Sequence, residues 1–409
     1  MADSTLRLRS LTDDDFTAVD TLIQRAFLVD PPHGDRELVR ALYEPERTHG
    51  VFDGDELAGT GAIMSKAITL PGVGQVPFAA VTSVAVSQSH RRRGILRMVM
   101  DAQLRELHER GGEPIAGLWA SEAAIYGRFG YGLATYYADI TIAARSEFRP
   151  GVDLGEDRVR EQDREHALPF LRELYDKVAP TRVGYLSRDD AAWTYVLDDG
   201  EHRREGSSKY RFAVHPQGCA VYRVKGDWGD VGPKGSLTVQ HFLATTPTAY
   251  AALWRFLLDH DLIGELTYAA GPDEPLVHML SNPRTARRRH SDGLWIRVVD
   301  VDRALSARRY ATPVDAVLEV SDAGCPWNAG RWRFTANGGE NDGDVRVSRT
   351  EAAADLALDI TDLGAIYLGG TRLTTLAAAG RIRELTPGAL ARVSTAFLTD
   401  ETPNCPEIF

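Results

Sequence analysis

Cysteine is scarce in this chain: Cys219, Cys325 and Cys405 are scattered and odd in number. That rules out a disulfide framework and suits a reducing compartment. No Cys/His cluster has zinc spacing, so no metal is expected. No apolar run approaches the ~20 residues of a membrane span. The start Met1-Ala2-Asp3-Ser4 lacks the charged-then-apolar pattern of a secretory leader, so the expected location is cytoplasmic. Positive charge is in deficit, with 47 Lys and Arg against 58 Asp and Glu and a net charge of −11. That balance disfavours nucleic acid as a partner and is compatible with a cationic substrate. Neither G-x-x-x-x-G-K-[ST] nor G-x-G-x-x-G is present near the basic turn described next, which argues against a nucleotide P-loop or a dinucleotide fingerprint.

What the chain does have is 409 residues, 43% of them hydrophobic and 26% charged, a composition of two or three soluble domains. Its most informative stretch is Val81-Thr82-Ser83-Val84-Ala85-Val86-Ser87-Gln88-Ser89-His90-Arg91-Arg92-Arg93-Gly94-Ile95-Leu96-Arg97. A β-branched strand runs into a short turn, then three arginines and a glycine open a helix. Leu96, Val99, Met100, Gln103, Leu104 and Leu107 repeat at helical spacing until Gly111-Gly112. A helix N-terminus offers N–H donors without intrahelical partners and a positive dipole end, so such a junction suits a phosphate. Gly94 lets the anion approach the main chain, and arginines supply forked donors. Basic triplets also decorate solvated surfaces, and the charges alone do not separate the two readings.

Three regions follow from the pattern. Residues 1–148 alternate helix and strand: a helix through Phe16, Val19, Leu22, Ile23 and Phe27, two strands in residues 50–70 joined by Asp53-Gly54-Asp55, the basic junction, a strand at 115–120, a short helix at 121–129 and a last strand at 136–142. Residues 149–299 repeat a strand–helix–strand pattern at 237–243, 246–258 and 266–268, without arginines or a glycine at the helix start, as a degenerate copy unable to hold the same ligand. Residues 300–409 carry antiparallel strands at 317–320, 331–334 and 345–347, then helical segments at 362–368 and 373–380.

Arg91-Arg92-Arg93-Gly94-Ile95-Leu96 resembles the [RQ]-x-x-G-x-[GA] acetyl-CoA signature of GNAT N-acetyltransferases, with Leu96 in place of the last small residue. Together with Ser121-Glu122-Ala123-Ala124-Ile125-Tyr126-Gly127-Arg128-Phe129-Gly130-Tyr131-Gly132, Gly364-Ala365-Ile366-Tyr367-Leu368-Gly369-Gly370, the length and the final Phe409, it resembles the enhanced intracellular survival (Eis) family. The resemblance implies a mixed α/β architecture: a catalytic GNAT domain at 1–148, a second degenerate GNAT domain at 149–299, and a sterol-carrier-protein-like domain at 300–409 with the C-terminus in the active site. It implies acetyl-CoA as co-substrate, a small-molecule amine as acceptor, aminoglycosides among them, and a homo-hexamer. Acyl transfer to protein lysines or N-termini, and non-catalytic acyl-CoA or lipid sensing, are the alternative functions.

The resemblance also distributes roles. Val84, Ala85 and Val86 act through backbone groups that pair with the pantetheine arm and polarise the thioester carbonyl, a task suited to fixed main-chain donors. Arg92, Arg93, Gly94, Ile95, Leu96 and Arg97 cradle the pyrophosphate. Ser121 and Glu122 line the coenzyme pocket; read from residue types alone they are a helix cap with an acid in the first turn. Tyr126 is the general acid for the departing thiolate. A phenol titrates near ~10, above a thiol at ~8.5, so it is protonated at neutral pH; by residue type alone it reads as a packed ring. The Phe409 carboxylate is the general base, which requires an ordered and buried terminus, since a free α-carboxyl near ~3.5 is a poor match for an ammonium group. Family members that acetylate aminoglycosides hold the cationic sugar with a carboxylate beside the terminal aromatic. Here Ile408 precedes Phe409, Glu407 is one position away, and Asp30 stands near the place of an acidic entry residue after Phe27.

Overall fold

A computed structural model describes residues 6–30, 35–230, 232–339 and 344–409; residues 1–4, on which the location was read, lie outside these. The chain packs as two units, one of residues 1–135, 183–197 and 293–409, the other of 136–182 and 198–292.

The first unit opens with β1 (Leu6–Ser10), α1 (Phe16–Phe27) and α2 (Asp35–Ala41). Then come β2 (Thr48–Asp53) and β3 (Glu56–Leu70), joined where Gly54 takes φ +61°, as the Asp-Gly-Asp turn predicts. β4 (Gly74–Val86), α3 (Ile95–Arg110), β5 (Ile115–Trp119), α4 (Ala123–Tyr126) and β6 (Gly132–Leu133) complete the series. The sheet runs β1-β2-β3-β4-β5, then Leu294–Val298, then β6. α3 buries Ile95, Val99, Met100, Gln103, Leu104 and Leu107. Its core face therefore starts at Ile95, and the half-buried Leu96, expected on that face, lines the cleft described below. The helix stops at Gly111, whose left-handed backbone sends its N–H to the Leu107 carbonyl.

The strand expected to end the first domain, Tyr136–Ala143, belongs to the other sheet, and Leu294–Val298 occupies the first sheet instead. Alternation of apolar residues fixes that a segment is a strand and which face it buries, but not which ladder it joins. Residues 183–197 likewise join the first unit: Ala67 and Thr69 at the end of β3 exchange backbone bonds with Gly184, Tyr185 and Ser187. The expected boundaries at 148 and 299 are thus not those along which the chain packs.

A second sheet in this unit orders Arg346–Arg349, Gly330–Ala336, Val314–Ser321, Leu356–Asp359 and Arg383–Glu384. It shares one core with the first, from Ile68 and Phe78 through Ile296 to Leu318, Phe334 and Phe397. Two glycines allow the close approach: a Cβ at Gly132 would collide with the Thr361 carbonyl, and one at Gly364 with that of Ile296. Arg297, fully buried, pairs with Asp322 at 2.6 Å, and Asp322 also accepts from Cys325 N and Asn328 Nδ2. A buried ion pair survives when its remaining lone pairs are so satisfied.

The second unit is a seven-stranded sheet ordered Ala286–Asp292, Tyr136–Ala143, Ile263–Ala270, Gly235–Ala244, Gly218–Lys225, Arg211–His215 and Arg160–Gln162. The helices Arg164–Val178 and Pro247–Leu258 pack on it. Among the described residues, no helix is long and apolar enough to cross a membrane, and no three His, Cys, Asp or Glu side chains are grouped to hold a metal.

Candidate active site

The site is built on the far half of β4. Its parallel ladder with β5 consists of Ala79↔Ala116 and Ala80↔Gly117 and then stops. Its pairing with β3 is offset between Thr60 and Ala62, and opposite this irregularity Ser83 sits at φ +52°. A bulge of this kind bends and twists a strand. From residue 81 onward the edge of β4 that faced β5 therefore leaves that ladder.

At the end of β4 the turn delivers α3 N-terminus first. Gly94, at φ +85°, is the N-cap, contributes no side chain, and would have open space around a Cβ. The first intrahelical acceptor, the Gly94 carbonyl, is reached by Met98 N, so the amides of Ile95, Leu96 and Arg97 precede the helical ladder. Arg92 adopts a left-handed φ of +64°. A cleft of about 1650 Å³ covers this junction. It is lined by Val84, Ala85, Val86, Arg92, Gly94, Ile95, Leu96 and Arg97, and across it by Ser121, Glu122 and Tyr126. The triplet splits its roles: Arg91 and Arg92 border the cleft, whereas Arg93 places Nη1 2.8 Å from the Asp53 carboxylate and fastens the turn to the end of β2. Arg93 therefore differs from the expected phosphate ligand, because a nearby acid competes for its guanidinium.

Ser121 and Glu122 face the cleft instead of capping. Glu122 occupies the N-cap of the one-turn α4, but its side chain makes no cap bond. Burial pushes the Tyr126 phenol above its ordinary value; the nearby Ser121 side chain opposes this and the Glu122 charge adds to it. The ring meets Tyr131 edge-on at 6.1 Å.

A second cavity, of about 220 Å³, borders Thr82 and Ser83, the residues of β4 just before those lining the cleft. It is walled by Phe16, Val19 and Ile23 of α1, by Val39, Leu42 and Tyr43, by Ala62 and Met64 of β3, by Ala192 and Tyr195, and by Ile408 and Phe409. The C-terminal segment is held there by buried groups. Arg188 Nε meets Glu407 Oε2 at 2.6 Å, Trp119 Nε1 donates to the Glu407 carbonyl at 2.9 Å, and Asn404 N donates to the Val183 carbonyl at 3.1 Å. Phe409 packs edge-on against Phe78 at 6.1 Å.

Tyr126 and Phe409 thus line different cavities that share β4. Glu407, a candidate partner for a cationic acceptor, spends its carboxylate on Arg188. Asp30 lines neither cavity, whereas Phe27 lines the larger. Residues 188, 192 and 195 carried no signal in the sequence, because they enter from a segment that reads as part of the second domain. Arg128, which also lines the cleft, lies inside the Tyr126 motif and was legible there.

Comparison with known proteins agrees with this geometry. Residues 7–134 and 184–303 each match an acetyltransferase (GNAT) domain, and residues 301–406 match a sterol carrier protein domain. The chain is 43% identical, over 99% of its length and 100% of the relative's, to an uncharacterized N-acetyltransferase of Streptomyces avermitilis. It is 36% identical to the N-acetyltransferase Eis of Mycobacterium tuberculosis, over 97% of this chain and 98% of that protein. The crystal structure of Eis1 from Mycobacterium abscessus is similar with a TM-score of 0.85 and 31% identity, covering 98% of this chain and 100% of that one.

Proposed function

Because this chain belongs to the Eis family of GNAT N-acetyltransferases, we propose that it moves acetyl from acetyl-CoA to the amine of a small molecule at β4, which borders both cavities. The observation that carries this reading is the departure of β4 from β5 after Ala80, beside an α3 N-terminus with no side-chain cap. An acyl-pantetheine arm needs a free strand edge, and its pyrophosphate needs convergent N–H donors; both border one cleft. Bound acetyl-CoA supplies an acetyl group already activated as a thioester.

The amides of Ile95, Leu96 and Arg97, with Arg91 and Arg92, hold the pyrophosphate. Backbone groups of Val84, Ala85 and Val86 align the arm and donate to the carbonyl oxygen as it gains charge. As the carbon–nitrogen bond forms and the carbon–sulfur bond breaks, the Tyr126 hydroxyl gives its proton to the departing thiolate. The Phe409 carboxylate takes the proton that the amine must lose. Its place on the wall of the smaller cavity supports that role.

Release of coenzyme A thiol with a panel of amines, aminoglycosides included, tests the reading. Saturable acetyl-CoA binding with no turnover on any amine would sink it. Extending the chain beyond Phe409 should abolish turnover with acetyl-CoA affinity unchanged within twofold; full turnover with the extension would remove the carboxylate from the mechanism. Assembly as a hexamer belongs to the same proposal, and light scattering reads it directly.

A further inference from the structure

The smaller cavity is built to select its amine. Resting on the acetyl-transfer reading above, we infer that the acceptor is a monoamine carrying a compact apolar or aromatic body, in preference to a polycation. At about 220 Å³ the cavity is smaller than the ~300–1,000 Å³ typical of pockets for drug-sized ligands. Its inner surface is predominantly hydrocarbon and aromatic: Phe16, Val19, Ile23, Leu42, Met64 and Phe409 face it.

The charges are arranged for one ammonium group. Besides the Phe409 carboxylate, which takes the proton of the reacting amine, three side-chain carboxylates border the cavity: Asp20, Glu44 and Glu407. Glu407 is neutralised by Arg188 at 2.6 Å. Asp20 accepts from Gln24 Nε2 at 2.9 Å and lies 3.5 Å from Arg36 Nε. Glu44 is held by Ser65 through the backbone N–H and the hydroxyl, both at 2.6 Å. Those donors are uncharged, and Arg47, which pairs with Glu113, reaches only the same Ser65 hydroxyl, so the Glu44 carboxylate is left to meet one cation. Lys66 sets a positive charge in the same lining. Ile408, 68% exposed, puts an apolar side chain beside Phe409. A second or third ammonium would therefore lose its hydration against hydrocarbon or meet Lys66, and burying a charge without a partner is strongly unfavourable.

The test compares kcat/KM, by coenzyme A thiol release from the full-length protein, for 2-phenylethylamine, spermidine, kanamycin and the primary amines from butyl to hexyl. The aromatic monoamine should exceed both polycations at least tenfold, and each added methylene should raise kcat/KM about fourfold. A flat alkyl series, or spermidine or kanamycin matching 2-phenylethylamine, would overturn the inference. Val39→Trp, at a position 38% exposed and thus tolerant of a larger side chain, should fill the cavity. It should lower kcat/KM for 2-phenylethylamine more than tenfold with acetyl-CoA affinity unchanged; Ala62→Leu is the second filling variant. Calorimetry of 2-phenylethylamine against the coenzyme A-loaded protein separates the two levels. Binding without turnover of any amine keeps the cavity's selectivity and removes the acetyl-transfer reading. No binding by any apolar amine removes the selectivity whatever the turnover.

Discussion

The pair Arg188–Glu407 holds the C-terminal segment, and Glu407→Gln should release it. Both side chains are buried, at 2% and 6% exposure, so solvent screens the pair little. Removing one partner of a buried pair costs about 3–5 kcal/mol, chiefly because the other charge is left without compensation. Glutamine keeps an acceptor oxygen, and the Arg188 guanidinium retains the Trp193 ring at 4.8 Å, which places the loss near the lower figure. About 3 kcal/mol at ~1.36 kcal/mol per decade is roughly 150-fold. Amide hydrogen exchange reads this directly: the amides of residues 404–409 should exchange about 150-fold faster, while those of β3 and β4 stay as before. The same segment donates Asn404 N to Val183, receives Trp119 Nε1 and seats Phe409, so these contacts should be lost together. kcat/KM for the amine should fall in step with docking, and acetyl-CoA affinity should not, because the segment lines the smaller cavity, proposed for the acceptor, and not the larger cleft, proposed for the coenzyme. Pairing Arg188→Met with Glu407→Leu should restore protection, since apolar replacements of similar volume often equal a buried ion pair. Parent-like exchange and kcat/KM in Glu407→Gln would refute the reasoning.

Tyr126→Phe should cut kcat at least ~100-fold, within the usual range for a lost general acid, with KM for acetyl-CoA within twofold. Because burial holds the Tyr126 phenol above its ordinary value, ionisation of this group should cost the parent no kcat between pH 7 and 9.5; a tyrosine-dependent fall inside that window would contradict the assignment. Gly94→Val places a β-branched residue at φ +85° at the mouth of the anion site, so KM for acetyl-CoA should rise about tenfold or more, the equivalent of the ~1–2 kcal/mol of left-handed strain. Equal acetyl-CoA affinity in a folded variant would remove the glycine's role. In the second unit, burial pushes the Glu274 carboxyl up to about 7. Its folded value exceeds its unfolded one, so the folded state binds more protons between pH ~4.5 and 7 and stability falls as pH rises, by at most ~1.4 kcal/mol per unit. Glu274→Gln should therefore raise the melting temperature more at pH 8 than at pH 5; an equal shift at both would count against it.

The elements of the fold were legible where periodicity is local. α3 and its Gly111 stop, the 53–55 turn and β4 follow from apolar spacing and from the positions of glycine. One wall of the larger cleft was legible too, because Val84 to Arg97 and Ser121 to Phe129 are two short segments; the wall formed by Thr17, Thr21 and Arg25 of α1 was not. What the sequence did not show depends on pairing between distant segments. Tyr136–Ala143 and Leu294–Val298 have equally good strand patterns, and each ladder is fixed by burial that no window of either segment contains. The smaller cavity was illegible for the same reason: it joins α1, β3, residues 192 and 195, and residues 407–409 from distant parts of the chain. Glu407 shows the limit at a single residue. Its type announced a carboxylate near the acceptor, but its partner, 219 positions away, decides that it anchors the segment.

The two GNAT domains invite a comparison that separates strand geometry from ligand chemistry. In the second unit Gly235–Ala244 also leaves its parallel neighbour, after Val239↔Tyr268. Two features differ from the first. Phe242 stacks on Trp254 at 4.9 Å and meets Tyr250 at 5.0 Å and Tyr268 at 6.1 Å, so the rings form a closed cluster beside the separated strand. The following helix begins with Pro247, which has no N–H, and Thr246 Oγ1 accepts from Ala249 N, so its first turn has few donors to offer. Phe242→Ala should open the cluster, at a cost of about 3–5 kcal/mol to that unit, and on our proposal still create no coenzyme site, because that helix start lacks the arginines and glycine that open α3. Calorimetric titration with acetyl-CoA should give one site per chain in parent and variant alike. Two sites in Phe242→Ala would show that the aromatic cluster alone closes the second domain, and that the arginine-flanked N-terminus of α3 is not what marks the first as the one that binds.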